Sequence, residues 1–282
     1  MLKLWQGLGY YSRARNLHTT AKYVANELGG VFPDNYIGLL RLKGVGDYTA
    51  SAIASICFNE KAAVVDGNVY RVLSRVFDVD TPINSSVGIK EFKKLAQALI
   101  PDSDPATYNQ AIMEFGARYC VPQNPNCSAC IFSAKCVAHR DKKVKLLPVK
   151  LKKTKVKELY FDFIVGLGVS NTTFVEQRTG KGIWQNLFQF PLVEGEVQLS
   201  PSELKKVPAY VKISEELGLN SLVLYNETPI VHKLSHRTLH TRFWIAKTED
   251  SAVEGISYQD LKRLPVPVLI GNFISEFAPF KS

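Results

Sequence analysis

Four cysteines crowd into seventeen residues, as Cys120-x6-Cys127-x2-Cys130-x5-Cys136. Thiolates bind soft metals, and four of them on a short, proline-bearing loop can close a cage. Zinc and a [4Fe–4S] cluster both accept four sulfurs. A zinc site usually joins two Cys-x2-Cys-like knuckles, and only one such pair is present here, so spacing alone leaves the metal open. Crowding of this kind, in a chain whose start does not read as a secretion signal, favours a metal site over disulfides. The fifth cysteine, Cys57, stands alone in an apolar segment and is expected in the core.

A second group of residues could hold an anion. Leu42-Lys43-Gly44-Val45-Gly46 separates two helical segments, 34–41 and 47–57. The glycines permit a tight turn and let backbone N–H groups approach a phosphate closely, and the following helix adds its positive end. A hairpin of this kind holds a nucleic-acid backbone without reading bases. Twenty residues after Gly46 comes Val65-Asp66-Gly67-Asn68-Val69-Tyr70-Arg71-Val72-Leu73. An apolar run from Ala62 to Val65 delivers Asp66 to the start of a helix. The plain reading is an N-cap. An N-cap carboxylate is also held in its charged form by N–H bonds and the helix dipole. Such an anion suits a reaction that develops positive charge on a sugar.

The elements that position these groups follow from periodicity. Residues 1 to about 140 read as helical: Val69, Val72, Leu73 and Val76 recur at helical spacing, as do Phe92, Leu95, Ala96 and Leu99. Ala111, Met113, Phe115 and Ala117 continue less cleanly. Breaks fall at Gly29-Gly30, the Gly44–Gly46 turn and Pro101. Residues 142–157 hold eight lysines, one proline and no acid, and read as a solvated basic linker able to touch phosphates. From Leu159 the texture changes to strands, at 159–165, 172–175 and 241–246, with helices near 201–218 and 258–264. The expected division is a helical domain over 1–140, a linker over 141–157 and a small α+β domain over 158–282.

Composition sets weaker bounds. The chain has 282 residues, a formal charge of +9 and a 46% hydrophobic share. That charge permits a polyanionic partner without requiring one. No apolar run reaches the ~18–20 residues that span a bilayer. A cytoplasmic, nucleoid-associated, bacterial-type monomer is expected.

The combination Leu-x-Gly-Val-Gly, then Val-Asp-Gly-Asn-Val-x-Arg-Val-Leu, then the four cysteines resembles the MutY-type adenine DNA glycosylases. Trp5-Gln6-Gly7-Leu8-Gly9-Tyr10-Tyr11-Ser12-Arg13-Ala14-Arg15-Asn16-Leu17-His18 resembles a further signature of that family. The resemblance covers essentially the whole chain. It implies a helix-hairpin-helix glycosylase domain with a [4Fe–4S] loop on Cys120, Cys127, Cys130 and Cys136, followed by a Nudix-like α+β domain. The implied reaction removes adenine mispaired with 8-oxoguanine or guanine in double-stranded DNA, after flipping the base from the stack. Asp66 would stabilise an oxocarbenium-like sugar. Tyr48 and Asn68 would order the site. Tyr10 would wedge into the stack, and Leu8, Arg13, Arg15 and the hairpin residues Lys43, Gly44, Val45 and Gly46 would contact DNA.

Endonuclease III is the neighbouring reading. It needs a Schiff-base lysine in the helix after the hairpin, where this chain has Tyr48; a monofunctional glycosylase is therefore expected. The chain departs from the family in one respect. The glutamate that protonates adenine lies upstream of the tryptophan segment in that family, and here no Asp or Glu occurs before Glu27. The 282 residues are accordingly expected to be weak or inactive as they stand, either as part of a longer product or as a non-catalytic iron–sulfur DNA-binding remnant.

In the second half, Trp184-Gln185-Asn186-Leu187-Phe188-Gln189-Phe190-Pro191 resembles a strand of the Nudix-like domain. Glu215-Glu216-Leu217-Gly218-Leu219 resembles the end of a Nudix motif, but Val211-Lys212 replaces its Arg-Glu, which argues against pyrophosphate hydrolysis. His232-Lys233-Leu234-Ser235-His236 resembles the loop that recognises 8-oxoguanine, with Ser235 and His236 as its readers. His232, His236 and His240 also raise a zinc site as a competing idea.

Overall fold

The computed structural model describes residues 1–152, 156–248 and 254–281. The lysines at 153 and 155, part of the expected linker, lie outside the described residues. The chain divides into two compact units, Asn16–Lys153 and Met1–Arg15 with Thr154–Ser282. This division differs from the expected one at the N-terminus. Leu2, Trp5 and Tyr11 pack with the aromatic core of the second unit, and periodicity does not say which core an apolar residue joins.

The first unit is helical. It contains most of α1 (Tyr11–Glu27), then α2 (Tyr36–Leu40), α3 (Asp47–Phe58), α4 (Gly67–Phe77), α5 (Ser86–Leu99), α6 (Pro105–Arg118) and α7 (Val137–Arg140). Side chains cap the helix starts: Asn35 at α2, Asp66 at α4, Ser85 at α5, and Asp104 with Pro105 at α6. Asn59 and Asp78 end α3 and α4 in the left-handed region. One core joins Val69 and Leu73 of α4 to Phe92 and Ala96 of α5; another joins Leu39 and Leu42 to Ala50 and Ala54 of α3.

Helix α3 buries a stripe of small residues, Ala50, Ser51, Ala54 and Ser55, against α2 and α6. Cys57, expected in the core, is exposed. It lies about 90° around the helix from the centre of that stripe, in the last turn. The basic stretch after α7 is held rather than free over much of its length. Leu147 is buried, the Val149 carbonyl accepts from the Ile83 N–H (3.0 Å), and Leu151 exchanges two hydrogen bonds with Asn84.

The second unit is α+β. Its strands are β1 (Lys157–Gly168), β2 (Thr172–Thr173), β3 (Glu176–Gln177), β4 (Phe188–Gln189), β5 (Leu192–Gly195), β6 (Val223–Leu224), β7 (Ile230–Lys233), β8 (Arg237–Lys247) and β9 (Ile256–Ser257). Its helices are α8 (Pro201–Leu204), α9 (Pro208–Leu217), α10 (Tyr258–Arg263) and α11 (Val268–Glu276). The expected helix over 201–218 is two, because Pro208 starts a new one. The main sheet runs β6-β8-β1-β2-β9, with β5 also on β1 and β7 also on β8. Its spine is the parallel pair β1–β8, in register from Lys157↔Arg237 to Leu167↔Lys247.

One face of this sheet packs Phe161, Phe163 and Phe243 against Phe273 and Phe280. The other carries a buried ion pair. Asp162 accepts from Arg242 Nε (2.7 Å) and from the Trp244 indole N–H (2.8 Å), and Arg242 also donates to the Leu199 carbonyl. These added hydrogen bonds from Trp244 and to Leu199 are the kind of support under which a buried pair is tolerated.

Candidate active site and cysteine loop

The segment that delivers Asp66 is extended, so its backbone needs partners from outside. Side chains supply them. Asn109 of α6 accepts from the Val64 N–H (3.0 Å) and donates to the Ala62 carbonyl (2.9 Å). Gln97 accepts from the Ala63 N–H (3.0 Å), and Lys93 Nζ donates to the Ala63 carbonyl (2.7 Å). Each of these bonds removes a buried unpaired group. Together they fix the approach to α4.

Asp66 then caps α4. Its Oδ1 accepts from the N–H groups of Asn68 (2.9 Å) and Val69 (2.8 Å). Its Oδ2 accepts from the Asn68 side-chain amide (2.9 Å). The carboxylate is half-buried. The amide of Asn68 has its other end occupied: Oδ1 accepts from Arg71 Nη2 (2.9 Å). Arg71 is buried, and donates further to the carbonyls of Gly116 (2.5 Å) and Cys120 (2.6 Å). A continuous line of hydrogen bonds therefore runs from the Asp66 carboxylate through Asn68 and Arg71 to the backbone of the first cysteine of the loop. Gly116 makes the approach of α6 possible, since a Cβ there would stand 2.7 Å from Asn68 Cβ.

One helical turn on, Arg75 is buried too. It donates to the carbonyls of Leu147 (3.1 Å), Val121 (2.8 Å) and Pro122 (3.0 Å), and its Nη1 lies 3.5 Å from Cys120 Sγ. Cys120, Cys127, Cys130 and Cys136 line one small cavity with Arg75 and Phe132. Burial, and then the other three cysteines, push the Cys127 thiol above its usual range; burial does the same to Cys136. Among the described residues no three His, Cys, Asp or Glu side chains are close enough to hold a single metal ion.

Tyr48 is half-exposed at the start of α3, and its hydroxyl points to Met113 Sδ (3.8 Å). No hydrogen bond from it to Asp66 is formed. In the hairpin, Lys43, Gly44 and Gly46 are exposed and Val45 is half-buried. Gly44 has φ +83°, and a Cβ on it would fall 2.5 Å from Asn16 Cβ. Thr20 ties the turn down by donating to the Lys43 carbonyl (2.8 Å). Gly46 caps α3 with no side chain, which leaves the first N–H groups of that helix open to an external acceptor. Asp47, at the first helical position, is engaged by Lys93 Nζ (2.9 Å) and by the Tyr36 hydroxyl (2.5 Å).

In the α+β unit, Tyr10 is exposed with φ 45°, and its hydroxyl lies 2.7 Å from Ser235 Oγ. These residues are 225 positions apart. The Arg13 guanidinium lies 5.6 Å from the Tyr10 ring centre and 5.7 Å from that of Trp5, and it donates to the carbonyl of exposed Leu8. Arg15 donates to the Gln185 carbonyl (2.9 Å). His236 is exposed. The other two histidines point elsewhere: His232 faces Trp184, and His240 stacks on Tyr160 and pairs with Glu158 (2.6 Å). The three do not form a metal site among the described residues.

Arg71 and Arg75 are the residues that sequence reasoning missed. The signal was their spacing of four on the same helix, interleaved with buried Val72 and Leu73, which puts them on a packed side rather than in solvent.

A hairpin before a capped carboxylate, a four-thiol loop behind it and a β-rich second unit define a base-excision-repair type of chain with an added domain. Residues 1–98 match the family described as HhH-GPD superfamily base excision DNA repair protein, and residues 164–276 match the NUDIX domain. The protein is 33% identical over 255 residues to the adenine DNA glycosylase of Buchnera aphidicola subsp. Baizongia pistaciae, covering 87% of this chain and 66% of that one. It is 31% identical to the enzyme of the same name from the Schizaphis graminum subspecies, covering 95% of this chain and 77% of that one. Over 139 residues it is 47% identical to the human adenine DNA glycosylase, which spans 49% of this chain and 26% of the human one. The chain belongs to the adenine DNA glycosylase family. It spans about two thirds of the length of the Baizongia relative.

Proposed function

We propose that the protein acts in base-excision repair on double-stranded DNA, as a monofunctional adenine DNA glycosylase removing adenine opposite 8-oxoguanine or guanine. The observation that carries this reading is the Asp66 carboxylate, held by two backbone N–H groups and the Asn68 amide at the head of α4. Breaking the bond between adenine and deoxyribose leaves positive charge on the sugar. A fixed anion that needs no reorganisation stabilises that charge. The Asn68 amide fixes one carboxylate oxygen in place and leaves its second lone pair for the sugar or water.

The Gly44–Gly46 turn and the uncapped start of α3 would take a backbone phosphate, positioning the duplex without reading sequence. Tyr10 would enter the base stack, and Ser235 would hydrogen-bond the edge of 8-oxoguanine. Tyr48 in place of a lysine supports hydrolysis over Schiff-base chemistry.

The four thiols fit a [4Fe–4S] cluster on donor chemistry, and they line one cavity. Cys120, Cys127, Cys130 and Cys136 would hold it, and when bound it would serve as a structural cross-link of the loop.

The test pairs binding with cleavage. Protein reconstituted with iron and sulfide should bind a duplex carrying adenine opposite 8-oxoguanine more tightly than a matched duplex. Adenine release by these 282 residues should be slow, short by about 10²–10⁴-fold of a rate assisted by a general acid, and Asp66→Asn should remove what remains. Equal affinity for both duplexes with no adenine release would overturn the proposal.

A further inference from the structure

Asp47 stands where the hairpin hands over to α3, at the first helical position and next to the N–H groups that Gly46 leaves uncapped. A carboxylate at a helix start is attracted to such groups. Here it is drawn aside instead. Lys93 Nζ of α5 lies 2.9 Å from its Oδ1 and 3.1 Å from its Oδ2. The Tyr36 hydroxyl of α2 donates to Oδ1 (2.5 Å), and a pKa pushed up to about 12 keeps that hydroxyl a donor near neutral pH. The α3 start therefore carries an acid that neither caps it nor stands unpaired.

The ammonium that holds Asp47 is itself fixed. It donates to Ser51 Oγ, one turn further along α3 (2.8 Å), and to the Ala63 carbonyl in the segment that delivers Asp66 (2.7 Å). It also lies 5.2 Å from the centre of the Tyr36 ring. An ammonium has three donors, and Asp47, Ser51 and Ala63 use all of them. None is left for a phosphate. Lys90 and Lys94 line the cavity beside this group, and among the described residues neither is within ion-pair distance of Asp47. Lys93 alone neutralises the acid.

We propose that Lys93 is a positioning residue for duplex binding, on the reading already given of the Gly44–Gly46 turn and the α3 start as a phosphate grip. It cancels the Asp47 charge and holds that carboxylate aside, which opens the uncapped N–H groups to a backbone phosphate. Lys93 reaches the DNA only through Asp47. Without it, a half-exposed carboxylate faces the incoming phosphate as a like charge.

Fluorescence anisotropy of the full chain with a matched duplex, at about 50 and about 200 mM salt, tests it. Lys93→Gln keeps two donors for Ser51 and Ala63 and loses the charge. It should weaken binding about five- to tenfold at the lower salt, and the ratio to the unaltered protein should shrink at the higher salt, where charges are screened. Adding Asp47→Asn should bring affinity back to within about twofold of Asp47→Asn alone. Asp47→Asn by itself should bind at least as tightly as the unaltered protein. It changes a half-exposed side chain, so it decides the matter even if Lys93→Gln does not fold. Weaker binding by Asp47→Asn would overturn the proposal. So would unchanged affinity in Lys93→Gln, a loss that persists when Asp47→Asn is added, or one that is equal at both salt concentrations; these would give Lys93 no part in binding, a phosphate contact of its own or a purely structural part. Gly44→Ala is the control for the reading beneath: if it leaves the same duplex bound as before, the hairpin is not the grip. A matched duplex also keeps adenine recognition out of the comparison.

Discussion

Replacing Arg71 by leucine tests the hydrogen-bonded line between the capped carboxylate and the cysteine loop. The guanidinium makes three short hydrogen bonds, to the Gly116 and Cys120 carbonyls and the Asn68 side chain, at 2.5–2.9 Å, and a longer one to the Gly67 carbonyl (3.4 Å). Leucine fills most of the volume but donates nothing. Three acceptors are then left in a site where Arg71 itself is 8% exposed. At roughly 1–2 kcal/mol each, the loss is about 3–6 kcal/mol, a large part of the roughly 5–15 kcal/mol that holds a domain together. Lysine should recover little of it, since a single ammonium cannot reproduce a fork that reaches three acceptors in different directions. Urea denaturation followed by far-ultraviolet circular dichroism gives the difference, and iron content per chain after reconstitution reports the loop. Arg71→Leu and Asn68→Ala should be coupled by about 0.5–3 kcal/mol in a double-mutant cycle. A destabilisation under about 1 kcal/mol, with iron content and coupling unaffected, would refute the reasoning.

Asp66→Asn should separate chemistry from folding: asparagine is as good an N-cap, so stability should change by no more than about 0.5 kcal/mol, while single-turnover adenine release disappears. Gly44→Ala forces a Cβ into the left-handed region and against Asn16. It should cost at least about 1–2 kcal/mol in thermal unfolding and weaken duplex binding measured by fluorescence anisotropy. Tyr36 has its pKa pushed up to about 12, first by burial and then by the hydrogen bond and charge of Asp47. Raising the pH should therefore leave Tyr36 protonated, together with Tyr11, Tyr70, Tyr108 and Tyr258, whose pKa values burial also raises, after the exposed tyrosines ionise, and Asp47→Asn should bring Tyr36 part of the way back; an ultraviolet tyrosinate titration compared between the two proteins checks both.

The capped carboxylate was legible because everything that makes it is local: an apolar run, an aspartate and a helix start within a few residues. The same holds for the hairpin glycines and for the strands at 159–165 and 241–246, which form the long pair β1–β8. What escaped depends on partners distant in the chain. Arg71 and Arg75 look like solvated helix arginines until α6, the cysteine loop and the stretch after α7 supply carbonyls 45–72 residues away. Tyr48 reads as a site residue, yet its hydroxyl turns to Met113, whose place beside it only the packing of α3 on α6 decides. The meeting of Tyr10 with Ser235 left no trace in spacing. Cys57 misled because an apolar neighbourhood does not say which side of a helix is covered. The two-residue strands β2, β3, β4, β6 and β9 are too short for alternation to register.

The long parallel strand pair has a bearing on how the protein is made. Lys157–Gly168 finds its main neighbour only when Arg237–Lys247 has been synthesised. At about 5–20 residues per second, translation alone leaves that edge waiting on the order of several seconds. Throughout that interval a ribbon bearing Phe161 and Phe163 is open to sticking to other nascent chains. The helical unit, whose residues have all been made by Lys153, can close in the meantime. Expression at lowered temperature or with a holdase present should therefore raise soluble yield mainly by sheltering the later unit.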